Sequence, residues 1–398
     1  MKHSRSLAII GCGFVADLYM RSLQLYPEID IAAVWDRDPA RLSAFAAHWG
    51  APAAASQEDL VSTARERGAL VLNLTNPREH YGVSRAALEA GLDVYSEKPL
   101  ADEFEKAKAL SEFAGEGGRM IGSAPCNFLS ESAQLAIAAL REGRIGAARL
   151  VYAELDDDYI PAAPYRSWAS ESGAPWPYED EFEVGCTLEH AGYYLTWLMA
   201  AFGSIDVVAA ASAEIIEGKP VGDDGAAPDY SAATLFFRSG EVARLTCSIV
   251  APHDHRFRVF GSDGVLSVED CWRNDAAVRI HRRFTVRRRL VTNPIAERVR
   301  AVGETHKKVG RTGAAAMNFA LGPVEMLDAR AENRPSRVNA DFGLHLTEAT
   351  LAIQNAGRTS APYQMTTSCP ETPLALWAKL RPRRVVGLER RISKLTEA

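Results

Sequence analysis

An apolar run, Leu7 to Ile10, leads into Gly11-Cys12-Gly13-Phe14-Val15-Ala16, and a second apolar run, Ile31 to Trp35, closes on Asp36. A strand, a glycine turn, a helix and an acid in that order restrict the chain to few architectures. Gly11 permits a tight turn, Gly13 lets the backbone approach a bulky anion, and the small Ala16 allows the helix to pack closely on a sheet. Phe14 and Val15 open that helix, whose N-terminus favours negative charge. The segment therefore reads as a dinucleotide-binding turn, with Asp36 accepting from the adenosine ribose hydroxyls. An acid there repels a 2′-phosphate and favours NAD, whereas Arg37 beside it is the group that would hold the phosphate of NADP.

From residue 7 to about 125, short apolar strands alternate with helical patterns: Leu7–Ile10, Ile31–Trp35, Leu70–Thr75, Asp93–Ser96 and Met120–Ser123. Such alternation predicts a parallel sheet covered by helices, with ligands beyond the carboxyl ends of its strands. Those ends carry Gly11 to Ala16, Asp36, Thr75-Asn76-Pro77 and Glu97-Lys98-Pro99, four segments converging on one crevice. His80 either approaches that crevice or caps the helix it precedes. After a helix around Ser130 to Arg141 the pattern changes to longer strands, Arg149–Leu155, Val207–Ile216, Tyr230–Phe237, Glu241–Val250, Phe257–Phe260 and Val265–Val268. Arg238-Ser239-Gly240 and Gly261-Ser262-Asp263-Gly264 read as hairpin turns between them. The expected fold is α/β: an N-terminal Rossmann domain over 1–125, then an α+β domain over 126–398 with a mostly antiparallel open sheet. At 398 residues the chain exceeds the roughly 250–300 residues of a single core, in keeping with two domains.

A net charge of −6 gives no global attraction to nucleic acid or membrane, and no apolar stretch reaches the roughly 20 residues of a membrane-spanning helix. The six cysteines are scattered, without a CxxC pair or a Cys/His cluster at ligand spacing, so a reduced, cytoplasmic setting and no metal are expected. Lys2 and Arg5 before an apolar run imitate a secretory leader, but two glycines and Asp17 interrupt it. Two basic segments, Arg279 to Arg311 and the tail Lys379 to Lys394, read either as a solvated insertion and surface tail or as a patch for a phosphorylated or nucleotide-linked substrate or an acidic partner. The connection between Asp156 and Glu183 is rich in Trp, Tyr, Pro and acids. Its Tyr165, Arg166 and Trp168 combine flat apolar faces with donors suited to a sugar ring, or else pack over the domain junction.

GCGFVA at 11–16, Asp36, TNPREH at 75–80 and SEKPL at 96–100 together resemble the Gfo/Idh/MocA oxidoreductase family. Gly185 to Tyr193, followed by a helix to Gly203, falls where that family has a glycine-led GxxxDxGxH segment. FRSGEVARLTCS and GSDGVLSVED resemble its sheet strands. The register puts Glu189 in the family's Asp position, Tyr193 in its catalytic His position and Thr196 in place of a later Asp; some members use tyrosine there. The resemblance implies a nicotinamide-dependent oxidoreductase acting on a carbohydrate-like small molecule, with Lys98 and Tyr193 as catalytic groups, and a homodimer or homotetramer. Asn127 and Phe128 fall where the family lines its active site, although the usual arginine is missing.

The chemistry stands beside the resemblance. Oxidising a secondary alcohol needs one group to take the hydroxyl proton while hydride leaves for the nicotinamide. A phenol is a poor base near neutrality, but an ammonium such as Lys98 favours its phenolate, and in reverse the same Tyr193 protonates the alkoxide. His190, three residues earlier, competes for the role on the same helical face. The alternatives are a glycoside-processing enzyme with tightly bound NAD and no net redox change, and a non-catalytic NAD(P)-binding regulator. Retention of Glu97-Lys98-Pro99 argues against the regulator.

Overall fold

The computed structural model describes residues 5–221 and 226–382, so most of the basic tail lies outside the described residues. β1 (Ser6–Ile10), β2 (Asp30–Trp35), β3 (Leu70–Asn73), β4 (Val94–Ser96) and β5 (Ile121–Ser123) form a parallel sheet in the order β2-β1-β3-β4-β5. The strand order reverses between β1 and β3, and the carboxyl ends of the strands face one crevice there. All five residues of β1 and all four of β3 are buried, as strands covered by helices on both faces must be.

The predicted strand Leu70–Thr75 stops at Asn73 for a local reason. Thr75 donates both its backbone N–H, at 3.3 Å, and its hydroxyl, at 2.6 Å, to the Asn73 side-chain oxygen, which turns the chain out of the sheet.

The second half carries a ten-stranded sheet from β6 (Ala148–Asp156), β7 (Ile205–Ala213), β8 (Tyr230–Phe237), β9 (Val242–Ser248), β10 (Phe257–Gly261), β11 (Gly264–Val268), β12 (Arg279–Val286), β13 (Arg289–Thr292), β14 (Glu297–Arg298) and β15 (Tyr363–Gln364). Its order is β13-β12-β11-β10-β6-β9-β8-β7-β15, with β14 beside β12. Only the central pair β6 and β9 runs parallel; the predicted hairpins join β8 to β9 and β10 to β11. β10 and β11 alternate buried and half-buried residues, the signature of a sheet with one covered face. The helix Gly192–Phe202 and the helix Ala340–Gln354 pack together, and the latter also lies against β7 and the helix Phe104–Glu116 of the first half.

Two expectations change. β7 ends at Ala213 rather than Ile216, because the N–H groups of Ile215 and Ile216 both turn to Asp229 Oδ2, at 3.0 and 2.9 Å. The basic segment is no simple insertion. Arg279 to Val286 is a paired strand, and Arg283 donates to the Gly261 carbonyl at 2.6 Å. Arginines along this half-exposed strand hide the sheet signal from a reading based on apolar runs.

Candidate active site

The two halves meet at a cleft of about 900 Å³. Its first wall is the dinucleotide turn. Gly11 has φ +97°, and a Cβ there would lie 2.5 Å from the Leu74 carbonyl oxygen, so only glycine fits. A Cβ on Gly13 would meet nothing within 4 Å, and no side chain caps the helix Phe14–Leu23 that follows. Open backbone and an uncapped helix start fit the pyrophosphate of a dinucleotide. Gly13, Phe14, Val15, Arg37, Thr75, Asn76, Pro77 and Glu97 all line the cleft.

Asp36 is buried behind the turn. It accepts from the Cys12 N–H at 2.7 Å and the Asp38 N–H at 2.8 Å, with the Arg41 guanidinium 3.7 Å away. Arg41, which the sequence reading missed, lines the cleft beside Arg37 from the first turn of the helix Pro39–Trp49.

His80 is not at the cleft surface. Its ring lies fully buried, with Nδ1 2.7 Å from the Pro99 carbonyl and Nε2 2.9 Å from the Thr75 carbonyl. It neither contacts the crevice nor caps a helix; it ties the Thr75 loop to the Lys98 loop. Glu97 accepts from the Tyr19 hydroxyl at 2.6 Å, and the Lys98–Pro99 peptide is cis.

The second wall comes from the segment after Gly185. Thr187–Ala191 winds as a π-turn before the helix Gly192–Phe202 begins, a widening found often at functional sites. It presents Glu189, His190 and Tyr193 to the cleft together with Lys98. Lys98 donates to Glu189 in an ion pair, and Lys98 and Tyr193 also line a small cavity behind the cleft. Tyr193 and His190 both pack on the edge of Trp272, at 6.1 and 6.2 Å between ring centroids.

The electrostatics revise one expectation. Burial pushes the Tyr193 phenol well above its ordinary value, and the opposing ammonium of Lys98 does not outweigh it; Glu97 and Glu189 push the same way as burial. Lys98 does not make Tyr193 a resting phenolate, because its charge is already answered by Glu189. For Lys98 itself, burial disfavours the charge, but Glu189, Glu181, Tyr193 and Glu97 together lift the ammonium above its usual range. Burial lowers His190, against the pull of Asp157, so the ring favours its neutral form.

Glu181 was missed as well. Burial and the neighbouring Glu189 charge hold it protonated well above the carboxylate range, while Lys98 holds Glu189 ionised. An ammonium, a carboxylate and a carboxylic acid thus stand in series. Glu181 belongs to the helix Tyr178–Val184 in the acid-rich connection, where composition marked the segment but not the residue.

That connection closes the cleft. Asn76 donates to Asp180 at 2.7 Å, Arg78 pairs with Glu183, and Asp17 accepts from the Ser172 N–H and hydroxyl at 3.0 and 2.8 Å. Trp168 lines the cleft against Trp176, at 5.0 Å between centroids. Tyr165 and Arg166 do not line it: Tyr165 is buried among Trp176, Tyr178 and Phe182, and Arg166 is bound to the Tyr178 hydroxyl at 3.1 Å. Asn127 sits behind Lys98 at the small cavity, where it accepts from Thr196 at 3.2 Å.

Residues 5–124 match the oxidoreductase family with an NAD-binding Rossmann fold, and residues 133–267 match the GFO/IDH/MocA C-terminal domain. The chain belongs to the Gfo/Idh/MocA family. Within it, this chain is 27% identical over 193 residues to the "Putative UDP-kanosamine synthase oxidoreductase subunit" of Amycolatopsis mediterranei, a match covering 47% of this chain. The chain spans about half the length of that curated relative, 49%.

Solved structures of similar fold include UDP-N-acetylglucosamine 3-dehydrogenase from Acidithiobacillus ferrooxidans, with a TM-score of 0.65, 20% identity, and coverage of 88% of this chain and 97% of that one. The WlbA dehydrogenase from Bordetella pertussis, solved with NADH and UDP-GlcNAcA, gives a TM-score of 0.67 at 18% identity over 92% of this chain and 97% of its own. Aldose-aldose oxidoreductase from Caulobacter crescentus gives 0.69 at 18% identity over 90% and 99%. At these identities the likeness is one of fold. Among the described residues no helix is long and apolar enough to cross a membrane.

Proposed function

We propose that this chain transfers hydride between NAD and a secondary alcohol or ketone of a sugar, cyclitol or nucleotide sugar. The observation that carries the reading is the placement of Lys98, Glu189 and Tyr193 in one cleft with the dinucleotide turn. A bound nicotinamide would supply or accept the hydride. Tyr193, held neutral, donates its proton to the developing alkoxide, and the Lys98 ammonium stabilises charge on the same oxygen. In the oxidising direction the same path runs in reverse, the Tyr193 oxygen receiving the hydroxyl proton beside the Lys98 ammonium. The names of the family relatives support nucleotide sugars within this class. Trp168 offers a flat face for the sugar ring. Exposed Tyr230 and Phe236 on the outer face of β8 support association into a homodimer or homotetramer.

Titration with NAD and NADP, followed by reduced-nicotinamide absorbance across sugars, cyclitols and UDP-sugars, tests the reading. In Tyr193→Phe, turnover falls by about 10²–10⁴-fold while NAD affinity stays within about twofold. Unchanged turnover moves the acid/base role to His190. Tight binding of NAD with substrate conversion but no net reduction would instead favour chemistry on a retained cofactor.

A further inference from the structure

Two imidazoles beside the cleft, His253 and His255, have no part in the hydride transfer proposed above. β6 ends at Asp156, and the chain returning from β9 pairs with that end: Asp156 and Asp254 exchange backbone hydrogen bonds of 3.1 and 2.9 Å. His253 and His255 flank Asp254 two residues apart and so share one side of an extended segment. The His253 N–H is fixed at 3.1 Å to the Asp158 carboxylate, and the Tyr194 hydroxyl donates to the His255 carbonyl. Backbone pairing thus delivers both rings to Asp157.

The resulting distances are unusual for hydrogen bonding. His253 Nδ1 lies 3.6 Å and His255 Nε2 3.7 Å from the same Asp157 oxygen, and the two rings are 4.0 Å apart. His190 Nε2 stands 3.7 Å from the other oxygen. A His–carboxylate hydrogen bond would close to about 2.7–2.9 Å. Neither ring nitrogen of His255 has a hydrogen-bond partner, although its side chain is 0% exposed, and His190 Nδ1 is also buried without one. Leaving such groups unpaired is costly unless something else satisfies them. Donor atoms around a tetrahedral ion bound at 2.0–2.1 Å are separated by about 3.4 Å, within a few tenths of an ångström of those seen here.

We propose that Asp157, His253 and His255 form a divalent metal site at the wall of the cleft, taking a first-row ion that prefers nitrogen and oxygen donors, Zn²⁺ foremost. Two imidazoles and a carboxylate are a recognised donor set for such ions and leave coordination positions open. Opposite the proposed ligand atom, Asp270 Oδ1 stands 3.6 Å from Nδ1 of His255, where an outer carboxylate would close on the ring once an ion is bound. Trp272 packs edge-on against the same ring at 4.3 Å. Because Asp157 and His190 also line the cleft, the ion would adjoin the substrate space. Sequence spacing concealed the site, since Asp157 and the His253-Asp254-His255 triplet come from separate strand ends.

Co²⁺ titration of chelator-treated, untagged full chain tests this independently of any oxidoreductase assay. Stoichiometric uptake is expected, with visible ligand-field absorption that Zn²⁺ abolishes. His253→Gln, which alters a partly exposed ring, is expected to weaken Co²⁺ binding by at least about tenfold and to bleach the absorption, with an unchanged circular dichroism spectrum. If that variant does not fold, Asp157→Asn carries the same comparison. Absence of stoichiometric uptake, or a folded variant that keeps wild-type affinity and spectrum, overturns the assignment.

Discussion

The two walls of the cleft solve the problem of buried polarity in different ways. On the parallel-sheet wall the polar side chains at the strand ends are held by nearby groups: Asn73 donates to the His80 carbonyl and the Ser84 hydroxyl, Asp36 holds two backbone amides, and His80 lies between two carbonyls. On the opposite wall, charge is balanced between distant segments, through Lys98, Glu189 and Glu181, and imidazole nitrogens remain unpaired. The first wall is a scaffold set by backbone geometry. The second is a charge-balanced chamber, in which each group's protonation is set by its neighbours across the cleft.

The contrast is broken most severely by Lys98→Met. It removes the cation that holds Glu189 ionised, so turnover is expected to fall by about 10²–10⁴-fold with NAD affinity retained, as read by steady-state kinetics and cofactor titration. Gly11→Ala attacks the scaffold instead. Its Cβ would collide with Leu74, so a loss of at least about 2 kcal/mol is expected in urea unfolding, with loss of NAD binding.

A smaller effect sharpens the comparison through pH. Glu181 stays protonated in the folded chain where an unfolded glutamate has lost its proton, so it binds more protons folded than unfolded and stability falls as pH rises through that window. Glu181→Gln should therefore match the wild type in acid and become progressively more stable than it from about pH 4 towards neutrality, as followed by urea midpoints. Smallest is Asp36→Ala, expected to weaken NAD by about tenfold, roughly 1.4 kcal/mol, and to narrow discrimination against NADP. Isothermal titration with both cofactors reads it.

The same division explains what the sequence made legible. Gly11, Gly13 and the strand ends are visible because their requirements are local: a positive φ, open backbone, an apolar run ending in a turn. Lys98 and Glu189 emerged from motif register. Glu181, Asp157 and the His253–His255 pair did not, because each acquires meaning only when a separate segment is folded against it. Tyr165 shows the converse: its composition suited a ligand, but packing gave it to an aromatic cluster. β12 was obscured by its arginines, which lie on a strand left largely half-exposed, where charge is tolerated.

The buried ring of His80 has one more consequence. Burial favours its uncharged form, which carries a single N–H, yet a carbonyl faces each nitrogen. Only one of the two loops can receive that proton at a time. The tautomer is thus a two-position latch: with the proton on Nδ1 it secures the strand end that aims Lys98, and with the proton on Nε2 it secures the loop beside the dinucleotide crevice.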